Sequence, residues 1–419
     1  MESKQVLALA IFSLVYLIIL AGENSPRKLD RPAAGLLGGV LMVLCGVLSR
    51  SQALQAIDFG TLTLLLGMMI VTAPATSSGL LDRMAIKLTG HSGNARILLL
   101  LVCLAAGGLS ALFVNDTICL IMTPMILAAA RSSKLPAEPY LLALATSSNV
   151  GSLMTITGNP QNMLIGQSSG WMWTAFAMRM VPVGIVCLII NWTVLDRLYA
   201  NQLKGAPTLP KRSENGWERP YNRKLARRTL LVMVGLLAAF LFGAPMDLAA
   251  MTAGAALIVW ANKPPSETFA AVDWSLLIFF AGLFIVVGGV TKMETGLITR
   301  FLPVIERHSI SMMGLTGFSV FSVIGSNLFS NVPFVMLLRG WVSHMQHAPL
   351  LWLMLAASST LAGNLTLVGS VANLIVAQGA NKECPLSFWK FLKVGVLTTP
   401  LTLIASILML WLYGRFGWA

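Results

Sequence analysis

The sequence predicts an all-α polytopic membrane protein with about ten transmembrane helices, two re-entrant hairpins and an inverted-topology repeat that contains broken helices. Three observations indicate this fold class: the composition, the recurrence of apolar runs, and three short patterns that occur twice at nearly constant spacing. Of the 419 residues, 56% are hydrophobic and 11% are charged, and the mean hydropathy is +0.77. This apolar content exceeds what a water-soluble core requires.

Apolar runs typical of membrane helices follow one another along the whole chain. They include residues 6–20, 33–48, 62–71, 97–113 and 401–411. The five cysteines show no CxxC spacing, so we expect no disulfide framework. The runs therefore predict a polytopic bundle of membrane helices without disulfide bonds.

The distribution of basic residues predicts the topology. Residues 196–228 form the longest hydrophilic segment and carry nine Lys or Arg, which the positive-inside rule places in the cytoplasm. Five crossings and one hairpin before this segment put both termini outside, and 21 of the 29 basic residues then lie inside. We therefore predict a multi-pass protein of the cell inner (cytoplasmic) membrane, with a cytoplasmic central loop and no nucleic-acid partner despite the formal charge of +13.

The repeated patterns indicate an internal duplication. Asp58 is echoed by Asp273, a Leu-Phe-x-Asn pattern ending at Asn115 recurs at Asn331, and the two pairs have nearly the same separation along the chain. Residues 155–165 align with residues 366–376 at a similar separation and keep Thr, Gly and Asn in place. The predicted units are a first repeat at 1–200, a basic cytoplasmic linker at 201–228 and a second repeat at 229–419. Five crossings per repeat place the second copy upside down.

Residues 155–162, Thr-Ile-Thr-Gly-Asn-Pro-Gln-Asn, place helix-breaking and polar residues inside an apolar run. A broken helix leaves backbone groups unpaired, at roughly several kcal/mol each in lipid, so it is tolerated only where it faces protein or a wet cavity. The ends of the two half-helices can there coordinate a small solute or ion. The sequence thus predicts a solute site at this break and at its repeat.

The tips of the two predicted hairpins complete this site. We expect four asparagines to converge near the membrane midplane: Asn115 and Asn331 at the tips, and Asn162 and Asn373 at the breaks. The glycines of the breaks, Gly158 and Gly369, should allow close backbone approach to the solute. The predicted substrate-binding residues are Asn115, Thr117, Thr157, Gly158, Asn159, Asn162, Ser330, Asn331, Gly369, Ser370 and Asn373.

Charged residues suggest how transport is coupled. Asp116 is the one carboxylate that the predicted topology places within the membrane. A carboxylate within the membrane is energetically costly, so its presence there indicates a functional role. We predict that it carries a coupling proton, with Na⁺ binding as an alternative. Asp58 and Asp273 are expected to cap helix N-termini, and Arg339 is expected to extend to the water interface.

Several of these motifs resemble the ion transporter superfamily. They are the Phe-Val-Asn-Asp stretch at 113–116, the Asn-Val-Pro stretch at 331–333, the break at 158–162 and the Ala-Gly-Asn-Leu-Thr-Leu-Val-Gly-Ser-Val-Ala-Asn stretch at 362–373. Within the superfamily the chain is most similar to the arsenite permease branch, which is related to NhaD-type sodium/proton antiporters and to divalent-anion/sodium symporters. The resemblance covers nearly the whole chain. It implies ten spanning helices, two re-entrant hairpins and a substrate site between the tips and the breaks.

The resemblance and the polar site together predict a secondary active transporter rather than an enzyme, exporting arsenite or antimonite against proton influx. Residues 365–370 lack the Pro-containing stretch of the best-known arsenite permeases, so other substrates stay open. The alternatives are sodium-coupled symport of a dicarboxylate or sulfate, sodium/proton antiport and, less favoured, a passive channel. We expect no cofactor and no metal site; the expected partners are the solute, protons and membrane lipids, and the sequence leaves open a homodimer and a docked cytoplasmic ATPase subunit.

Overall fold

The computed structural model describes residues 3–21, 29–89, 94–204, 221–261, 263–292 and 311–418. Within these ranges every regular element is a helix, which confirms the predicted all-α class. Residues 205–220, the greater part of the predicted basic linker, lie outside the described residues.

The first half of the chain contains eleven described helices joined by short connections. They are α1 (Ser3–Ala21), α2 (Arg31–Leu44), α3 (Arg50–Ala56), α4 (Phe59–Ser77), α5 (Leu80–Thr89), α6 (Ala95–Leu112), α7 (Asn115–Ser132), α8 (Glu138–Ser152), α9 (Pro160–Ser169), α10 (Trp173–Leu198) and α11 (Ala200–Leu203).

The second half repeats this order among its described residues. Its helices are α12 (Arg223–Leu241), α13 (Met246–Trp260), α14 (Pro265–Ala270), α15 (Trp274–Lys292), α16 (Met312–Phe329), α17 (Asn331–Val342), α18 (Ala348–Ala362), α19 (Val371–Ala380) and α20 (Phe388–Arg415). A 3₁₀ turn precedes α9, at Ile156–Gly158, and another precedes α19, at Leu367–Gly369. Each half therefore contains one broken helix, at the place the sequence predicts.

Helices pair across the two halves. α2 packs against α15, and α4 packs against α13, which is the same pairing with the two halves exchanged. Glycines bring these pairs close: a Cβ at Gly282 would lie 2.3 Å from the carbonyl oxygen of Gly35, and one at Gly67 would lie 2.7 Å from the carbonyl carbon of Ala250. The halves are therefore interlocked rather than placed side by side.

Six of the described helices are long and apolar enough to cross a membrane: α4, α6, α10, α15, α16 and α20. Shorter apolar helices accompany them, namely α1 over residues 3–19, α2, α13, α18 and α19. Large apolar side chains such as Leu17, Val259 and Ile189 are exposed on the outer surface, as expected for contact with lipid. These features describe a multi-pass membrane protein, and the number of crossings stays a prediction.

The predicted hairpin segments are pairs of helices joined by very short turns. α7 begins three residues after the end of α6, and α17 begins two residues after the end of α16. α17 folds back along α16. The ring centre of Phe334 in α17 lies 5.6 Å from that of Phe321 in α16, and a Cβ added at Gly325 of α16 would lie 2.0 Å from the Phe334 ring.

The charged residues near the helix starts behave in part as predicted. Asp58 Oδ1 accepts the Thr61 N–H at 2.9 Å, and Asp273 Oδ1 accepts the Leu276 N–H at 3.0 Å, so both are N-caps. The Arg339 Nη1 of α17 donates to Asp58 Oδ2 at 2.8 Å. Arg339 is thus held by a carboxylate from the other half, a contact that the sequence did not indicate.

Candidate functional site

The break between α8 and α9 is closed by two asparagine side chains. Asn159 caps α9, its Oδ1 accepting the Asn162 N–H at 2.9 Å. Asn162 Nδ2 donates to the carbonyl oxygens of Ser152 at 3.1 Å and Thr155 at 3.0 Å. Backbone groups freed by the break therefore find partners inside the protein, as a membrane environment demands.

The break between α18 and α19 repeats this arrangement. Asn373 Nδ2 donates to the carbonyl oxygens of Gly363 at 2.7 Å and Thr366 at 3.1 Å, and both acceptors occupy the repeat positions of their counterparts in the first break. Ser370 stands where the first break has Asn159 and forms no side-chain cap. The two breaks share one geometry, which follows from the aligned Thr, Gly and Asn.

The two predicted glycines differ in how tightly they are enclosed. A Cβ at Gly158 would lie 2.3 Å from the carbonyl oxygen of Ser152, whereas one at Gly369 would lie 3.1 Å from that of Gly363. In both cases the atom approached is the chain's own backbone. The glycines thus let each break fold against the helix before it.

A buried asparagine that was not predicted from the sequence joins the pieces of the site. Asn149, in α8, donates through Nδ2 to Asn364 Oδ1 at 2.9 Å and to Asn373 Oδ1 at 3.0 Å. Its Oδ1 accepts Asn115 Nδ2 and Ser370 Oγ, each at 3.0 Å. One side chain therefore connects the first tip to the second break.

Thr360, in α18, is the counterpart of Asn149 in the second repeat. Its Oγ1 accepts Asn159 Nδ2 and Gln161 Nε2, each at 3.2 Å. This hydroxyl ties the first break to the second half. Thr360 and Gln161 were likewise not predicted from the sequence. Extending the repeat alignment a few residues towards the N-terminus would have paired Asn149 with Thr360.

Three asparagine side-chain oxygens at this site are buried and lack a hydrogen-bond partner among the described residues. They are Asn115 Oδ1, Asn162 Oδ1 and Asn331 Oδ1. The orientation of Asn162 is fixed because its amide nitrogen faces two carbonyl oxygens. The equivalent oxygen of Asn373 accepts a hydrogen bond from Asn149. The second half has Thr360 at the position that corresponds to Asn149, and Thr360 makes no such bond to Asn162, so the Asn162 oxygen has no partner.

The remaining predicted residues lie around this cluster. Thr157 accepts a hydrogen bond from Trp173 Nε1 at 3.2 Å, so its hydroxyl is turned to α10. Thr117 is half-buried beside the first tip. Ser330, at the second tip, has φ +70° and ψ 155°, a conformation that non-glycine residues rarely adopt and that concentrates at functional sites. Asn331 lies beside Gly363, whose Cβ would be 3.4 Å from Asn331 Nδ2.

Asp116 occupies the first turn of α7, next to Asn115. It is half-buried and interacts electrostatically with Arg31 at the start of α2 and with Asp273 before α15. Arg31 is a counter-charge that was not predicted from the sequence.

The side chains of the central cluster are suited to binding a solute through hydrogen bonds. The central cluster consists of amides and hydroxyls, and its hydrogen bonds link both breaks and the first tip. Among the described residues no group of three or more His, Cys, Asp or Glu is placed to hold a metal ion.

Known transporters resemble this chain along nearly its whole length. The sequence profile of the family described as Citrate transporter (CitMHS) matches residues 14–357. The chain is 31% identical to the silicon efflux transporter LSI3 of Oryza sativa subsp. japonica, over 99% of this chain and 98% of that protein. It is 24% identical to a Dictyostelium discoideum transporter named arsB, over 97% of this chain and 92% of that protein.

The fold also occurs among solved structures. The crystal structure of the Alcanivorax borkumensis YdaH transporter superimposes with a TM-score of 0.62 and 13% identity, covering 100% of this chain and 99% of that one. At this identity the likeness concerns the fold alone. The family profile and the full-length relatives show that the chain belongs to the CitMHS citrate transporter family of the ion transporter superfamily and is a multi-pass membrane transporter.

Proposed function

We propose that this secondary transporter exports arsenite or antimonite across the inner membrane in exchange for protons. In this proposal both termini lie outside, the central basic loop is cytoplasmic, and the solute binds between the two helix breaks and the two tips. No chemical conversion of the solute is involved.

The observation that carries the proposal is the set of three unpaired, buried asparagine oxygens at Asn115, Asn162 and Asn331. Each is a hydrogen-bond acceptor, and a buried acceptor without a partner costs about 1–3 kcal/mol. A solute that donates hydrogen bonds would satisfy these atoms. Arsenite near pH 7 is a small, mostly neutral molecule with three hydroxyl donors, so its chemistry matches the site.

The names of two relatives support this class of solute. The rice relative is named as a silicon efflux transporter, and the Dictyostelium relative is named arsB. Silicic acid, like arsenite, is a small neutral hydroxide that donates hydrogen bonds. We therefore regard silicic acid as the second solute to test for this chain.

Proton coupling is assigned to Asp116. This carboxylate adjoins Asn115, which bonds to the central Asn149 at 3.0 Å, so a change in its charge acts directly on the first tip. Its interactions with Arg31 and Asp273 also change when it takes up a proton. Loading and release of a proton would thereby alter how the tip contacts other helices.

Sodium-coupled uptake of a dicarboxylate or related anion is the second candidate. It is favoured by the family description as citrate transporter and by the N-termini of α9 and α19, which are suited to anions. The unpaired asparagine oxygens could then coordinate Na⁺ instead of a hydroxylated solute. Both candidates use the same residues, but they differ in the driving ion and in the charge of the solute.

Flux into proteoliposomes separates the candidates. Arsenite, silicic acid and citrate are offered in turn, under an imposed pH gradient or an imposed Na⁺ gradient. We expect accumulation of arsenite with the pH gradient alone, and its loss when a protonophore collapses the gradient. Citrate accumulation that requires Na⁺ would establish the second candidate, and arsenite flux that persists without any gradient would indicate a channel.

The Asn331→Ala variant tests the unpaired acceptors. Removing the Asn331 oxygen should raise the KM for arsenite by up to about tenfold, the equivalent of one hydrogen bond of about 0.5–1.5 kcal/mol. Asn191→Ala is the matched control, because Asn191 Oδ1 is also buried and unpaired but its amide bonds Thr146 and Ser147. An equal KM change in both variants would contradict the assignment.

A further inference from the structure

A cavity of about 330 Å³ with a mixed polar and apolar lining lies between α3, α15 and α17. Its lining includes Gln52, Gln55, Thr291, Lys292 and Arg339, and no acidic side chain lines it among the residues that the structure describes. α15 ends at Lys292, and the end of a spanning helix marks the boundary between membrane and water. The cavity therefore lies at one membrane surface.

Of the two basic groups of this cavity, Arg339 is held in place by neighbouring side chains. Arg339 Nη1 bonds Asp58 Oδ2 at 2.8 Å, and the guanidinium lies 5.0 Å from the centre of the Phe284 ring. That bond uses one of its five N–H donors. Asp58 balances the charge of Arg339. Lys292 has no ion-pair partner among the described residues, so its positive charge remains available to a ligand.

An apolar groove of about 400 Å³ lies along α2 and α15. Its walls include Leu36, Val40 and Leu44 of α2 and Ile278 of α15, all of which are exposed. Its lining also includes Gly282. The absence of a side chain at Gly282 lets α2 approach α15 closely, because a Cβ added there would lie 2.3 Å from the carbonyl oxygen of Gly35.

Groove and cavity share one face of α15. Residues 278, 281 and 285 line the groove, and residues 288 and 292 line the cavity, a spacing of three or four residues that keeps them on one side of a helix. From 278 to 288 the helix rises about 15 Å at about 1.5 Å per residue. This length is half of the ~30 Å hydrocarbon core, or one leaflet.

We propose that the cavity and the groove together form a binding site for one anionic phospholipid, with its headgroup between Lys292 and Arg339 and an acyl chain along α2 and α15. A phosphodiester carries one negative charge, which matches the one unbalanced positive charge. The amides of Gln52 and Gln55 supply donors for its oxygens. The site is separate from the solute site and does not depend on which solute is transported.

Lipid binding to the purified full chain in detergent tests this inference. Dioleoylphosphatidylglycerol, dioleoylphosphatidylcholine or inorganic phosphate is added, and bound lipid is counted by native mass spectrometry while thermal unfolding is followed. We expect phosphatidylglycerol to stay bound and to raise the unfolding midpoint more than phosphatidylcholine does. Lys292→Glu should weaken phosphatidylglycerol binding at least about fivefold, since each basic residue near a membrane surface contributes about 1 kcal/mol.

Variants separate the headgroup from the chain. Lys382→Glu makes the same charge change at another exposed lysine and should leave binding unchanged, and Lys292→Gln serves if Lys292→Glu does not fold. Val40→Trp fills the groove and should weaken both lipids.

Three results would overturn the inference. The first is equal binding of both lipids by the unaltered chain. The second is full stabilisation by inorganic phosphate alone, which would make the cavity an ion site. The third is a change of oligomeric state in Val40→Trp without any change in lipid binding, which would show that a second copy covers the groove.

Discussion

Replacing Asn149 by Ala should damage the centre of the transporter more than any other single change in its polar cluster. The side chain makes four hydrogen bonds, to Asn115, Asn364, Ser370 and Asn373. Alanine cannot replace any of them, and the four partners would be left without this bond in a buried position, because Asn149 and its partners are all buried. We therefore expect both lower stability and loss of transport.

The size of the effect follows from the number of bonds. Side-chain hydrogen bonds between membrane helices average about 0.6 kcal/mol, with a maximum of about 1.7, so four amount to about 2.4 kcal/mol and at most about 7. Thr360→Ala is the matched control, because this counterpart accepts two hydrogen bonds, or about 1.2 kcal/mol on the same scale. The expected ratio between the two losses is about two.

Equilibrium unfolding in mixed micelles of a mild detergent and dodecyl sulfate measures both free energies, and flux into proteoliposomes measures transport. Asn149→Ala should lose transport even under conditions where it remains folded. If Asn149→Ala were no less stable than Thr360→Ala and kept normal flux, the side chain would not be the connection between the first tip and the second break.

Further predictions concern Asp116 as the proposed coupling residue, the two glycines of the breaks, and Ser330 at the second tip. Asp116→Asn should abolish arsenite accumulation driven by a pH gradient while arsenite exchange persists; unchanged, pH-dependent accumulation would show that Asp116 only begins its helix. Gly158→Ala should destabilise the protein far more than Gly369→Ala. The Cβ added at Gly158 would lie 2.3 Å from the Ser152 carbonyl oxygen, whereas the Cβ added at Gly369 would lie 3.1 Å from its nearest neighbour. Comparable unfolding free energies of the two variants would refute this prediction. Ser330→Gly should raise the thermal midpoint, since relief of about 1–3 kcal/mol of backbone strain exceeds the roughly 0.5–1 kcal/mol that glycine loses in chain entropy, and a lowered midpoint would contradict it.

The breaks and the hairpin tips could be predicted from the sequence because each interrupts an apolar run with residues that lipid cannot satisfy. Gly158, Pro160 and the flanking asparagines leave no other interpretation inside a membrane segment. Their repetition in the second half then indicated the second break, although Ser370 and Val371 are much weaker signals on their own. The described structure confirms both interruptions as 3₁₀ turns between helices.

The connections between these pieces could not be predicted in the same way. Asn149 and Thr360 lie within the intact helices α8 and α18, where a single polar residue does not disturb the backbone and leaves no local signal. Their role depends on which helices meet in three dimensions. The partners of Arg339 and Asp116 were missed for the same reason, because Asp58 and Arg31 are distant from them in sequence and Asp58 already had a local explanation as a helix cap.

The interlocked pairing of α2 with α15 has a consequence for synthesis of the protein. α2 is complete by residue 44, but α15 begins only at residue 274. At about 5–20 residues per second, the ribosome needs roughly 10 to 50 s to supply the partner. During that interval the glycine-lined side of α2 remains open to lipid or to the insertion machinery, and the first half cannot reach its final packing before α15 of the second half has been made.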